Sequence, residues 1–244
     1  MLLAVDIGNT KIKAAVFEDT VLAAKFVFTK LEATEYFKLI FEKYPTIAAT
    51  IFSSVGEENA ELLHLLEQQS RLFIISHNTF FPFTNKYATP ETLGIDRIVL
   101  AAGAVLQFPS RNRLVIDAGT CITYDFIDKA DNYLGGAISP GLRLRYESLH
   151  NFTAKLPLLS AELPEHFKGS STNDSIHSGV VNGLLYEIEG FMAKYVEQYQ
   201  DVTIILTGGD ADFLAKRFKN TIFANSNFLL ESLNNLYTYT IKND

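Results

Sequence analysis

Two short segments repeat an arrangement of groups suited to holding a polyanion together with its cation. Asp6-Ile7-Gly8-Asn9-Thr10 follows the apolar run Leu2 to Val5, and Asp117-Ala118-Gly119-Thr120 follows Leu114 to Ile116. Glycine lets phosphate oxygens reach backbone N–H groups that a side chain would shield, and Asn9 and Thr10 add donors. Asp6 offers a hard oxygen to Mg²⁺, directly or through the waters of the ion. A third segment, Thr207-Gly208-Gly209, follows Val202 to Leu206, and its glycine pair admits a flat group such as adenosine against the backbone. An ordinary hairpin turn also uses Asp, Gly and Asn, so a single copy decides nothing. Two such turns aimed at one cleft would grip a triphosphate from both sides.

Further chemistry sits between and beyond these turns. Gly94-Ile95-Asp96-Arg97 opens a helix running through Gln107 and is preceded by Tyr87 and Pro90. An acid–base pair at a helix start is also a common way to complement the helix dipole. Gly135 to Gly141 reads as a Gly/Pro turn before a helix bearing Arg143 and Arg145, either a plain loop or a shaped wall of the cleft. Cys121 is the only cysteine, which removes any intramolecular disulfide or Cys-rich metal site, and it reads as a small buried residue. The histidines are scattered without metal-ligand spacing.

These groups need rigid supports, and the apolar pattern supplies them. Leu2 to Val5, Ile12 to Phe17 and Val21 to Phe28 predict an antiparallel meander. Leu31 to Tyr44 predicts a helix stopped by Pro45, with Leu31, Phe37, Leu39, Ile40, Phe41 and Tyr44 on one face. A strand at Thr46 to Phe52, a helix at Glu57 to Gln69 with its leucines inward, and a strand at Leu72 to Ile75 follow. Ser76 to Leu93 is a loop long enough to carry function. From Leu114 the opening grammar returns, strand, acidic turn, strand, as an internal duplication would leave it. Then come a long helix from Asp174 to about Gln198, a strand at Val202 to Leu206, and helices at about Ala211 to Phe218 and Asn227 to Leu236. The β-α-β alternation predicts mixed sheets flanked by helices in an α/β fold, with halves at residues 1–109 and 110–244.

Composition limits the partners. The 244 residues are 48% apolar and 20% charged, the balance of a folded soluble chain. A net charge of −7 with no Lys/Arg run disfavours a nucleic-acid binder. Ile98 to Leu106 is about half of what a membrane-spanning helix needs, and the N-terminus lacks the basic flank of a secretory signal. A cytoplasmic, untargeted protein is expected.

The three turns, each directly at a strand end and in this order, resemble the superfamily of acetate and sugar kinases, heat-shock ATPases and actin. That resemblance implies two RNase H-like domains closing over ATP. Within it, Tyr87, Gly94 to Arg97, Gly135-Gly136-Ala137-Ile138-Ser139-Pro140-Gly141 and Thr172-Asn173-Asp174-Ser175-Ile176 are similar to the pattern of type III pantothenate kinases, a resemblance that runs from Asp6 to Gly209, most of the chain. The resemblance implies ATP-dependent phosphorylation of pantothenate to 4′-phosphopantothenate, the first step towards coenzyme A. It implies ATP contacts from Asp6, Ile7, Gly8, Asn9, Thr10, Lys11, Ile12, Lys13, Thr120, Gly208 and Gly209, and Mg²⁺ held by Asp6 through water. Asp96 would be the base, with Tyr87, Gly94, Ile95 and Arg97 around pantothenate. Asp117 would hold a monovalent cation, K⁺ or NH₄⁺. A homodimer is implied, with Thr172 reaching the pantothenate of the partner subunit. The helical stripe Ile176, Val180, Leu184, Ile188 and Tyr195 suits either such an interface or the chain's own core. The alternatives are a related small-molecule kinase, or a non-catalytic ATP-binding accessory protein, since family members have also been described as transcriptional accessory factors.

Overall fold

A computed structural model describes residues 1–54, 60–218 and 222–243, and these form two compact units. One comprises Met1–Pro109, Asp131–Tyr133 and Asn227–Asp244, and the other Ser110–Ala130 and Leu134–Ser226.

The first unit opens with the expected meander of β1 (Leu2–Ile7), β2 (Ile12–Glu18) and β3 (Val21–Phe28). Asp19, at φ 54°, turns the chain between the last two, a conformation that Asp tolerates better than most residues. The chain enters α1 (Ala33–Lys43) through a 3-10 turn closed by the Thr29 N–H and hydroxyl donating to the Glu32 carboxylate at 2.8 and 2.7 Å. Then follow β4 (Ala49–Ser54), α2 (Ala60–Gln69), β5 (Arg71–Ile74), the short β6 (Thr84–Asn85) and α3 (Ile95–Gln107). The expected start of the second helix at Glu57 lies outside the described residues. The sheet order is β3-β2-β1-β4-β5, with β1 antiparallel to β2 and parallel to β4. Leu3, Val5, Ile12 and Ala14 pack against Phe37, Ile40 and Phe41 of α1 and Leu62 and Leu66 of α2. Each large side chain so buried contributes about 1.5–3 kcal/mol. Leu31 and Leu39, expected inward, are exposed: Leu31 sits in the turn before the helix, and Leu39 lies two residues past Phe37, nearly opposite it at 100° per residue.

The second unit repeats the plan. It contains β7 (Asn112–Ala118), β8 (Cys121–Ile127), β9 (Asn132–Pro140), α4 (Leu142–Asn151), α5 (Thr172–His177), a single wide π turn at Ser178–Asn182, α6 (Gly183–Gln198), β10 (Val202–Thr207), α7 (Ala211–Ala215) and β11 (Phe223–Ala224). Its strands lie in the order β11-β10-β7-β8-β9. As in the first unit, the leading strand has an antiparallel hairpin partner on one side and two parallel strands on the other. A closing helix, α8 (Phe228–Asn243), is longer than expected and packs on α3 and β1 in the first unit.

One expectation needs correction, and one that left two alternatives is decided. Gly135 to Gly141 is not a Gly/Pro turn, because residues through Pro140 form β9. Its glycine is needed for close strand approach: a Cβ on Gly136 would lie 1.5 Å from the Tyr124 carbonyl oxygen. The stripe Ile176, Val180, Leu184 and Ile188 belongs to the unit's own core, beside Leu114, Ile116, Tyr124 and Phe126, and Tyr195 packs against it.

Candidate active site

In the first unit the end of β1 carries Asp6. Its register partners are Lys13 on β2 and Ser53 on β4, so three polar side-chain positions meet across the middle of the sheet. Gly8 N–H donates to the Lys11 carbonyl at 3.1 Å and closes the turn between β1 and β2. Asp6 is 4% exposed and accepts a hydrogen bond from the Ser53 hydroxyl at 3.0 Å. Burial pushes its carboxyl up to about 6; Lys13 pulls it down, Asp96 pushes it further up, and the Ser53 hydrogen bond lowers it. Sequence reasoning missed Ser53, whose role depends on a parallel strand more than forty residues away.

Asp96 occupies the first turn of α3, where its Oδ1 accepts the Arg97 N–H at 2.8 Å. Arg97 is buried, its guanidinium carbon 5.8 Å from the centre of the Tyr87 ring. The Tyr87 ring stacks edge-on with Tyr133 at 6.1 Å, which fixes the loop that carries it. His77, given no role by sequence, bonds through its ring nitrogen to the Leu93 carbonyl at 2.8 Å and anchors the approach to Gly94. The Asp6–Asp96 electrostatic coupling joins two residues ninety positions apart within one unit.

In the second unit, Asp117 holds the place that Asp6 holds in the first. Its register partners are Thr123 on β8 and Thr207 on β10. Thr207 is 1% exposed, and its hydroxyl meets no hydrogen-bond partner among the described residues. A buried hydroxyl without a partner beside a carboxylate is a hard-oxygen donor set that fits a small cation. Gly208 adopts φ +99°, and a Cβ there would lie 2.3 Å from the Ala118 carbonyl and 2.4 Å from Asp117 Oδ1. Only glycine fits. Gly209, by contrast, is exposed and faces open space on its Cβ side, as a flat ligand would require. Cys121 at the start of β8 is partly exposed rather than buried. No group of three or more His, Cys, Asp and Glu that could hold a metal occurs among the described residues.

The model of the type III pantothenate kinase family matches residues 2–194. The chain belongs to that family. It is 60% identical to the type III pantothenate kinase of Flavobacterium johnsoniae over the whole of both chains, and 37% identical to that of Bacteroides fragilis over 98% of each. The family's activity is the ATP-dependent phosphorylation of pantothenate for coenzyme A biosynthesis, and this pantothenate kinase uses ATP accordingly. Among solved structures the chain superposes on a Campylobacter jejuni protein of the Baf family, named for transcriptional activation, with a TM-score of 0.65 at 22% identity, covering 98% of this chain and 99% of that one. It superposes on a ROK family glucokinase of Streptomyces griseus with a TM-score of 0.53 at 12% identity, covering 99% of each. These likenesses show the fold: two mixed sheets flanked by helices.

In this kinase Thr172 begins α5, whose N-terminus is capped by the Ser171 hydroxyl accepting the Asp174 N–H at 3.1 Å. Thr172 is exposed and, with Arg145, Ser148, Ser175 and Ile176, lines a hollow of about 680 Å³ in the second unit. Among the described residues no helix is long and apolar enough to cross a membrane.

Proposed function

We propose that Asp96 is the general base and that the Asp6 turn receives the phosphates of ATP. The observation that carries this reading is the carboxylate pair within one unit: Asp6 buried beside a glycine turn, and Asp96 in the first turn of α3 next to the buried Arg97. The pantothenate hydroxyl loses its proton to Asp96 as its oxygen bonds to the γ-phosphorus and the bond from that phosphorus to ADP breaks. In such a loose transition state orientation matters more than deep deprotonation, so a carboxylate is basic enough. Tyr87, Gly94, Ile95 and Arg97 hold the substrate, with Arg97 offering a fixed cation to a carboxylate or phosphate oxygen. Ile7 to Lys13 line the phosphates, and Thr120, Gly208 and Gly209 contact ATP.

Asp6 is suited to Mg²⁺ held through water, because a nearby cation would return a carboxyl raised by burial to its ionised form. Mg²⁺ supplies neutralisation of the β- and γ-phosphates when bound. Asp117 is assigned a monovalent cation, K⁺ or NH₄⁺, on the support of the unpartnered Thr207 hydroxyl. In a buffer whose sole monovalent cation is a bulky organic one, activity is expected to be low and to recover on adding K⁺ or NH₄⁺. Asp117→Asn should lose that response; a variant that keeps both activity and response removes the assignment.

A homodimer in which Thr172 completes the partner's site belongs to the same reading. The exposed position of Thr172 supports it, as do the exposed Leu134 and Tyr186 beside a groove of about 740 Å³ on α6 and β9. Mixing Asp96→Asn with Thr172→Ala subunits places both lesions in one site and neither in the other, so activity above either parent is expected. No recovery after proven exchange, or an active monomer, discards the shared site. The expected halves, residues 1–109 and 110–244, are proposed as two RNase H-like domains of common origin, on the support of the repeated strand plan, with the closing segment Asn227–Asp244 packed into the first unit. A cytoplasmic location is also proposed, consistent with the absence of any disulfide-forming pair of cysteines.

A further inference from the structure

Glu187 on α6 joins three other elements of the second unit. Its carboxylate accepts the Tyr124 hydroxyl of β8 at 2.9 Å, the Ser139 hydroxyl of β9 at 2.5 Å and an Arg145 guanidinium N–H of α4 at 2.5 Å. Both members of the ion pair are largely shielded, with 21% of the Arg145 side chain and 24% of that of Glu187 exposed. Burial alone would raise the Glu187 carboxyl, but the bonds from Ser139, Arg145 and Tyr124 outweigh it and hold it below the usual range, so it is ionised at neutral pH. Burial, reinforced by Glu187, pushes the Tyr124 phenol up, which keeps that hydroxyl a donor.

The network continues to the second glycine turn. Arg145 also donates through Nε to the Pro140 carbonyl at 2.8 Å. The next residue, Gly141, donates its N–H to the Thr120 carbonyl at 3.1 Å. Contact there is close: a Cβ on Gly141 would lie 2.1 Å from the Gly119 oxygen and 2.6 Å from the Thr120 oxygen. Backbone at Pro140-Gly141 therefore cannot shift without moving Gly119-Thr120, and Pro140 is held in turn by Arg145 and Glu187.

We propose that Glu187 is a positioning residue for ATP, which through Arg145 and Ser139 seats Pro140-Gly141 against the Gly119-Thr120 turn and sets the aim of Thr120. The proposal rests on the reading of Thr120 as an ATP contact. A brace that served only the sheet would alter stability and affect both substrates alike. A brace on the turn alters ATP selectively when it is loosened at Glu187, because Asp96, Tyr87 and Arg97 belong to the other unit and Glu187, unlike Arg145, does not line the hollow that Thr172 lines.

Steady-state kinetics of Glu187→Gln, which keeps shape and removes charge, tests this. The KM for ATP is expected to rise about 5- to 20-fold, with the KM for pantothenate changed by less than about twofold, the scale on which small displacements of a positioning group act. Arg145→Lys keeps the charge but loses the two-pronged guanidinium bond; it should raise the KM for ATP likewise, and it carries the test on the ATP side if Glu187→Gln does not fold. In a Thr120→Ala background the Glu187→Gln effect on ATP should shrink to less than about twofold, since the turn then has no contact to aim. Equal changes for both substrates, or a fall in melting temperature with both KM values unchanged, would overturn the proposal. A KM for ATP raised by Thr120→Ala but not by Glu187→Gln or Arg145→Lys would overturn it while sparing the Thr120 reading. An unaltered KM for ATP in Thr120→Ala would remove that reading, and the proposal with it.

Discussion

Asp96→Asn is expected to lower turnover by about 10²- to 10⁴-fold while leaving ATP affinity within about twofold. The change removes a proton acceptor and preserves the side chain's size at the start of α3, and it touches neither glycine turn. The same substitution has a second readout. The Asp96 charge is one cause of the raised Asp6 carboxyl, so its removal should shift the ionisation of Asp6 to lower pH. The acid limb of the residual pH–rate profile should move down with it. Turnover near that of the unaltered enzyme would remove Asp96 from the base role, and an unmoved acid limb would separate the two carboxylates.

Asp6→Asn is expected to abolish detectable activity and yet raise the stability of the nucleotide-free protein at pH 7.5. The folded carboxyl sits at about 6 against an ordinary value of 3.8, chiefly because it is buried. The fold therefore favours the protonated form. The contribution of Asp6 to stability is fully present below pH 3.8, and it is lost as pH rises through 6. Above that the ionised group costs about 1–3 kcal/mol, which a neutral amide avoids. Urea unfolding should show the variant more stable by that amount at pH 7.5, with the gap closing towards pH 4.5. A variant less stable at pH 7.5 would mean that the Ser53 and Lys13 interactions outweigh burial, and that Asp6 is a structural ion rather than a site held ready for a cation.

The parts of the fold legible in sequence were those governed by local pattern. The meander of β1, β2 and β3 shows in runs broken by Gly8-Asn9 and Asp19-Thr20, and the recurrence of the strand and acidic turn at Asp117 matches the repeated strand order. What was not legible was set by distant partners. Gly135-Gly136 looked like a turn because strands are usually poor in glycine, and only the Tyr124 carbonyl pressed against Gly136 explains the exception. The stripe on α5 and α6 has the same spacing whether it faces a second subunit or its own sheet, and it faces its own sheet. Ser53, His77 and Glu187 carried no local signal, since each acquires its place from a residue on another element. The family pattern drew attention to the glycine turns and to Asp96, whereas the side chains that hold them steady came from the structure.

The most direct test is ADP release from ATP by the purified chain, measured with pantothenate, with no acceptor and with a panel of sugars, alongside mass analysis of the acceptor. A pantothenate kinase predicts release that depends on pantothenate, with one phosphoryl group appearing on it for each ADP formed. Release that is equal without acceptor, or faster with a sugar than with pantothenate, would contradict it.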